Sequence, residues 1–184
     1  THRYVSNFCS RILPDNMQKY FNDKKIFFDS LSKDALIKIT YRPCYEAGWG
    51  EVEKIRVFLP NVRFFLKGSL VEKMKSAELV IIDHLSTTFI EALTINAPCI
   101  LFWDHAVESL RPEAVKYFEV LNNAGILHRS PEEAAKKVNE IFADPSGWWH
   151  DPKTQKAKNI FCERFAVTSD KWHEEWGSVL NADK

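Results

Sequence analysis

Three acid–imidazole neighbours stand out along the chain: Asp83-His84, Asp104-His105 and His150-Asp151. A carboxylate beside an imidazole is the raw material of acid–base catalysis. Neighbours on an extended strand point to opposite faces, however, so adjacency in sequence does not by itself define a dyad. What sets the first two pairs apart is their setting. Asp83 follows Leu79-Val80-Ile81-Ile82, and Asp104 follows Cys99-Ile100-Leu101-Phe102-Trp103. Two such runs read as buried strands, and both carboxylates would leave the sheet at the same end, where His84 could also reach substrate. His84 and Asp104 are therefore the candidate catalytic residues.

Between the first of these strands and the next helix lies Asp83-His84-Leu85-Ser86-Thr87-Thr88. Hydroxyls and unpaired backbone N–H groups gathered at the positive end of a helix suit a diphosphate. Ser86, Thr87 and Thr88 are the candidate diphosphate-binding residues, and Thr88-x-x-Glu91 also reads as a capping box. Three cations, Arg42, Lys67 and Arg111, follow other strand candidates closely and would stand near the same sheet edge, where they could neutralise phosphate oxygens. Taken singly, each is more simply a solvated surface charge. The six glycines are too scattered for a G-x-G-x-x-G fingerprint or a P-loop. The four cysteines, Cys9, Cys44, Cys99 and Cys162, form no C-x-x-C pair, so neither a metal site nor a disulfide framework is expected.

These residues need a scaffold to position them. At 184 residues, with 45% apolar and 27% charged residues, the chain has the size and composition of one globular domain. The net charge is zero and both signs are interspersed, which argues against a nucleic-acid partner. No apolar run reaches membrane-spanning length and the first ten residues lack the order of a signal peptide, so a cytoplasmic location is expected.

The pattern alternates strand candidates (Arg3–Asn7, Leu36–Tyr41, Val62–Leu66, Glu78–Asp83, Pro98–Trp103, Gly125–Leu127) with helix candidates. The helices are expected over Met17–Leu31, Glu51–Phe58, Leu70–Ser76, Thr88–Asn96, Glu108–Ala124, Pro131–Phe142, Pro152–Phe165 and Ser169–Leu180, with a break at Pro145-Ser146-Gly147. Such βα units predict an α/β fold: a doubly wound, mostly parallel, six-stranded Rossmann-like sheet of strand order 3-2-1-4-5-6. The two fully apolar strands should be central. The ligand crevice should lie where the order reverses, between the loops Ser6–Asn16 and Asp83–Thr88. In the last helix, Trp172 and Trp176 share one face, either capping the core or meeting a partner.

Ile81-Ile82-Asp83-His84-Leu85-Ser86-Thr87-Thr88-Phe89-Ile90-Glu91-Ala92-Leu93, followed by Asn96-Ala97-Pro98-Cys99-Ile100-Leu101-Phe102-Trp103-Asp104, resembles the donor half of GT-B glycosyltransferases. In particular it is similar to a transferase family encoded with bacterial O-antigen and surface-polysaccharide genes. Tyr117-Phe118, Ala124-Gly125-Ile126-Leu127-His128, Trp148-Trp149, Phe161 to Ala166, Arg42-Pro43 and Gly48-Trp49 extend the match.

The resemblance implies a C-terminal, nucleotide-donor domain over residues 1–184, with residues 151–184 as helices that pack on an N-terminal acceptor domain outside this chain. It implies that Ser86, Thr87 and Thr88 hold the donor diphosphate and that Glu91 binds ribose hydroxyls. It further implies a nucleotide-activated sugar as partner, no metal or other cofactor, and a lipid-linked acceptor that would bring the enzyme to a membrane surface. The first strand carries no glycine-rich loop, a departure from that pattern. Two other readings remain open: a non-catalytic binding module, and half of an epimerase of the same fold.

Overall fold

The structure is a computed structural model that describes residues 14–43, 50–104 and 109–181. The first strand candidate, Arg3–Asn7, lies outside them, as do Cys9, Cys44, His105, Glu108 and Gly48-Trp49.

The chain folds as α/β, with parallel strands and ten helices among the described residues. Helix α1 (Pro14–Asp29) buries Phe21, Lys24, Phe27 and Phe28, a stripe at the spacing of a single helical face. Strand β1 (Thr40–Tyr41) pairs in parallel with β2 (Arg63–Phe64), joined by α3 (Glu51–Phe58), whose Ile55 is fully buried. Helix α4 (Leu70–Lys75) then leads to β3 (Val80–Ile82). With α5 (Thr87–Thr94) and α6 (Pro112–Asn123) as crossovers, β3, β4 (Cys99–Phe102) and β5 (Leu127–His128) form a parallel sheet in the order β3-β4-β5.

These pairings are the ones the expected order requires of strands 2–3 and 4–5–6. The six-stranded sheet itself is not seen among the described residues, which form two-stranded and three-stranded pieces. Between β1 and β3 runs a slot of about 600 Å³ lined by Phe27, Tyr41, Leu79, Ile81 and Phe102 among others. All four residues of β4 are buried, as expected of a central strand, whereas Val80 and Ile81 of β3 are half-buried because that strand borders the slot.

Three expectations are corrected. Leu36–Tyr41 is not one strand: residues Lys33–Lys38 form α2, because the Ser32 hydroxyl accepts from the Ala35 N–H at 3.2 Å and caps a run of good helix formers, which leaves Thr40–Tyr41 as the strand. Pro145-Ser146-Gly147 is not a break but opens α8 (Pro145–His150). The Asp144 carboxylate accepts from the Gly147 N–H at 2.8 Å, and proline takes the first helical position, where it lacks only a donor no helix would use. A Cβ at 147 would lie 2.1 Å from Oδ2 of the same Asp144 carboxylate, so a larger residue there would push the capping side chain aside. The third correction concerns α5. Its cap is Ser86, whose hydroxyl accepts from the Thr88 N–H at 3.3 Å, so the Thr88/Glu91 capping box is not formed.

Helix α7 (Pro131–Ile141) covers one face of the sheet with Ala134, Ala135, Val138 and Ile141, while α9 (Pro152–Phe165) closes the other with Ala157 and Phe161. Trp149 of α8 is fully buried and its indole N–H donates to the Asn96 carbonyl at 3.0 Å and to its Oδ1 at 3.2 Å, anchoring the turn after α5. The last helix, α10 (Trp172–Asn181), buries no residue. Trp172 and Trp176 are 54% and 61% exposed, so they do not cap the core. No described helix is long and apolar enough to cross a membrane.

Candidate functional site

The carboxyl ends of β3 and β4 deliver Asp83, His84 and Asp104 to one small cavity, whose other wall is α1 from Asn16 to Lys24. From that helix come Asn16, Lys19, Tyr20, Asp23 and Lys24, with Phe102 and Trp103 as floor. The site therefore lies at the strand ends that sequence reasoning indicated, and it unites the two candidate catalytic residues.

At its centre is a buried cation. The Lys24 side chain is 4% exposed, which is tolerable only with anionic partners at hand. Its ammonium group pairs with Asp83, donates to the Tyr41 hydroxyl at 2.8 Å and lies 3.6 Å from Glu51, to which Tyr41 in turn donates. It also rests over the Tyr20 ring, 4.2 Å from the centroid. Burial pushes the Asp83 carboxyl up, but the Lys24 charge, together with His84, outweighs it and holds the group well below the usual carboxylate range. Asp83 is thus an anion that can only accept. It takes the Tyr20 hydroxyl at 3.3 Å and the His84 ring nitrogen Nδ1 at 3.1 Å, so Nδ1 must carry a proton.

At the cavity mouth, Lys19 bridges Asp23 at 2.7 Å and Asp104 at 3.0 Å. The bond to Asp23 is the main reason its ammonium group is held above its ordinary range.

Beyond His84 the chain turns into α5. Ser86 and Thr88 are half-buried and Thr87 is exposed at the first turn, while Glu91 is exposed one turn further on. The eight-residue helix presents its positive end beside the cavity. His84 and Thr88 also border the slot between the half-sheets, as does Arg42. Arg42 donates to the Gly68 carbonyl at 3.4 Å and stacks over Phe65 at 5.0 Å, which brings the Arg42 and Lys67-Gly68 segments together after β1 and β2. Lys67 is exposed, and Arg111 is the exposed residue preceding α6, with no side-chain cap of its own. No cluster of three metal-ligating side chains occurs among the described residues.

Sequence reasoning missed Lys19, Tyr20, Lys24, Tyr41 and Glu51. A signal was there: Lys24 falls between Phe21 and Phe27/Phe28 on the apolar stripe of its helix, where a lysine has to find buried partners.

The structure is thus α/β with parallel strands, and acidic and basic side chains converge at the carboxyl ends of β3 and β4. The family profile of the LIC12162 family transferase matches residues 1–180, and the chain belongs to that family. No curated protein and no solved structure matches it.

Proposed function

We propose that this chain is the donor-binding domain of a GT-B-type transferase, moving a sugar or related group from a nucleotide-activated donor onto a surface-glycan precursor. The observation that carries this reading is the Ser86-capped start of α5. Two hydroxyls, Ser86 and Thr87, and the helix dipole stand at the carboxyl end of β3, directly after the Asp83-His84 pair. Membership of a transferase family supports the reaction class.

In the full enzyme an acceptor hydroxyl oxygen would bond to the donor carbon. The bond from that carbon to the diphosphate would break with its electron pair leaving on the diphosphate, and the acceptor proton would pass to a general base, from the acceptor domain or from the local candidates His84 and Asp104. The α5 N-terminus, with Arg42, Lys67 and Arg111 as further cations, would offset the charge on the leaving group. Glu91 would take ribose hydroxyls. The acceptor would be bound by a second domain, on which the C-terminal helices would pack.

The test is a calorimetric titration with uridine, cytidine, guanosine and thymidine diphosphates. One of them should bind, and Ser86→Ala/Thr87→Ala should weaken it by roughly 1–3 kcal/mol, the worth of hydroxyl bonds to a charged group. Equal affinity of parent and double variant would remove the donor site from this turn. A second reading, a partner-binding module, is favoured by the exposed indoles of α10. It would gain if no nucleotide binds while one stoichiometric protein partner is recovered.

A further inference from the structure

Arg42 and the start of α5 border the same slot but belong to different pieces of sheet. Arg42 follows β1 and is fixed to the β1–β2 piece. Its guanidinium group donates to the Gly68 carbonyl at 3.4 Å and stacks over Phe65, whose N–H donates to the Tyr41 carbonyl at 2.9 Å. Ser86 and Thr87 follow β3 and go with the β3-β4-β5 piece. Helix α1 reaches both pieces: its Phe28 meets Tyr41 of β1 edge-on at 6.3 Å, and its Phe27 stacks on Phe102 of β4 at 5.0 Å.

Lys24, one turn earlier on the same helical face, makes the polar connection. Its ammonium group pairs with Asp83, the residue after β3, and donates at 2.8 Å to the hydroxyl of Tyr41, the last residue of β1. Glu51, at the start of α3, lies 3.6 Å away. Tyr41 is followed by Arg42, and Asp83 by His84 and the turn into α5. One buried charge thus grips both chains immediately before the groups that would meet a diphosphate. Stability alone does not call for a cation here, because an apolar pair in place of Lys24 and Asp83 would avoid the cost of desolvating two charges. What the ammonium group adds is direction, since its hydrogen bonds hold for only one placement of the two strand ends.

We infer that Lys24 is a positioning residue for the donor site: it clamps the ends of β1 and β3 so that Arg42 and the start of α5 close on one diphosphate. This rests on the donor-site reading above, in which Lys24 itself touches no ligand. With the clamp in place, the guanidinium group and the helix N-terminus stand at a set distance and bind the anion together. Without it, Arg42 stays on Phe65 and Gly68 with its own strand, but its distance from α5 is no longer fixed. The contribution of Arg42 to binding is then lost along with that of Lys24, not in addition to it.

The experiment is a double-variant cycle, read by calorimetric titration of the chain with uridine, cytidine, guanosine and thymidine diphosphates. For the nucleotide that binds, Arg42→Ala should weaken affinity by about tenfold, as for a lost hydrogen bond to a charged group. Lys24→Met should weaken it by a similar factor. Lys24→Met/Arg42→Ala should bind within about threefold of either single variant, because the two residues act as one unit. A Lys24 that acted on the ligand only through its charge would give losses that multiply, and a partly unfolded variant would lower the number of sites instead of the affinity. Thermal unfolding shows whether each variant is folded at the titration temperature. If Lys24→Met does not fold, Tyr41→Phe takes its place in the cycle; it removes only the grip on β1 and should give a smaller coupling of the same sign. Losses that multiply in the cycle, or an Arg42→Ala variant that binds as tightly as the parent, overturn the inference. If affinity still depends on Ser86 and Thr87 in that case, the donor site stands and only the clamp falls. If no nucleoside diphosphate binds, both fall together.

Discussion

Lys24 in α1 and Asp83 at the end of β3, 59 positions apart in sequence, form an ion pair whose ammonium group is almost wholly buried. Removing the cation alone would leave Asp83 and Glu51 facing one another in a poorly solvated site. Lys24→Met should therefore destabilise the fold by about 3 kcal/mol, the lower end for a broken buried pair because Asp83 keeps some solvent contact. The double variant Lys24→Met/Asp83→Asn should recover part of that loss. Denaturant unfolding of the three proteins checks it, and additive losses would mean that the pair is not coupled.

Asp83 also sets an acid limit. Its carboxyl lies lower in the folded chain than in the unfolded one, so its ionised form stabilises the fold above the unfolded value of about 4. That contribution disappears as pH falls below this value through the folded one. Stability measured from pH 5 down to pH 2 should drop steeply for the parent and less steeply for Asp83→Asn, whose side chain does not titrate. Parallel curves would show that other carboxylates account for the acid sensitivity.

The capping of α5 separates two of the candidate donor-site residues. Ser86 makes the capping bond, so Ser86→Ala should cost about 1 kcal/mol in ligand-free unfolding. Glu91 is exposed and makes no reciprocal cap, so Glu91→Ala should stay within about 0.5 kcal/mol. A larger effect at Glu91 than at Ser86 would restore the Thr88/Glu91 box.

How much of this was legible follows from where the determining forces act. Glu51–Phe58 and Pro152–Phe165 keep the bounds that their sequences predict, since an acidic first turn or a proline start and the apolar spacing are local. Leu36–Tyr41 misled because its β-branched and aromatic residues suggested a strand, while a cap four residues upstream, at Ser32, decided for helix. That Asp83, His84 and Asp104 meet at the carboxyl ends of β3 and β4 was readable from topology alone. The Lys24 network was not, because its members come from α1, β1, β3 and α3, and no local pattern brings Lys24 to Asp83 and Glu51. Trp149 and Trp172 make the same point: both are tryptophans of helices late in the chain, yet one is fully buried against Asn96 and the other is more than half exposed.

That contrast yields a final prediction. Trp172, Trp176, Val179 and Leu180 stand at the spacing of one helical face and are each more than half exposed, with no residue of α10 buried. So much contiguous apolar surface binds hydrophobic probes or a second copy of itself. The chain should bind a naphthalene-sulfonate dye in its folded state or run as a concentration-dependent dimer. Trp172→Ala/Trp176→Ala should abolish that behaviour while leaving unfolding within about 0.5 kcal/mol of the parent, because neither indole packs in the core. Trp149→Phe should do the reverse. It leaves dye binding and association untouched and costs about 1–3 kcal/mol, since it deprives the Asn96 carbonyl of its indole donor at a fully buried side chain. Sedimentation velocity with dye titration and denaturant unfolding of the two variants measures both effects. If the double variant of α10 lost as much stability as Trp149→Phe, the two exposed indoles would have to be packed against the core in solution.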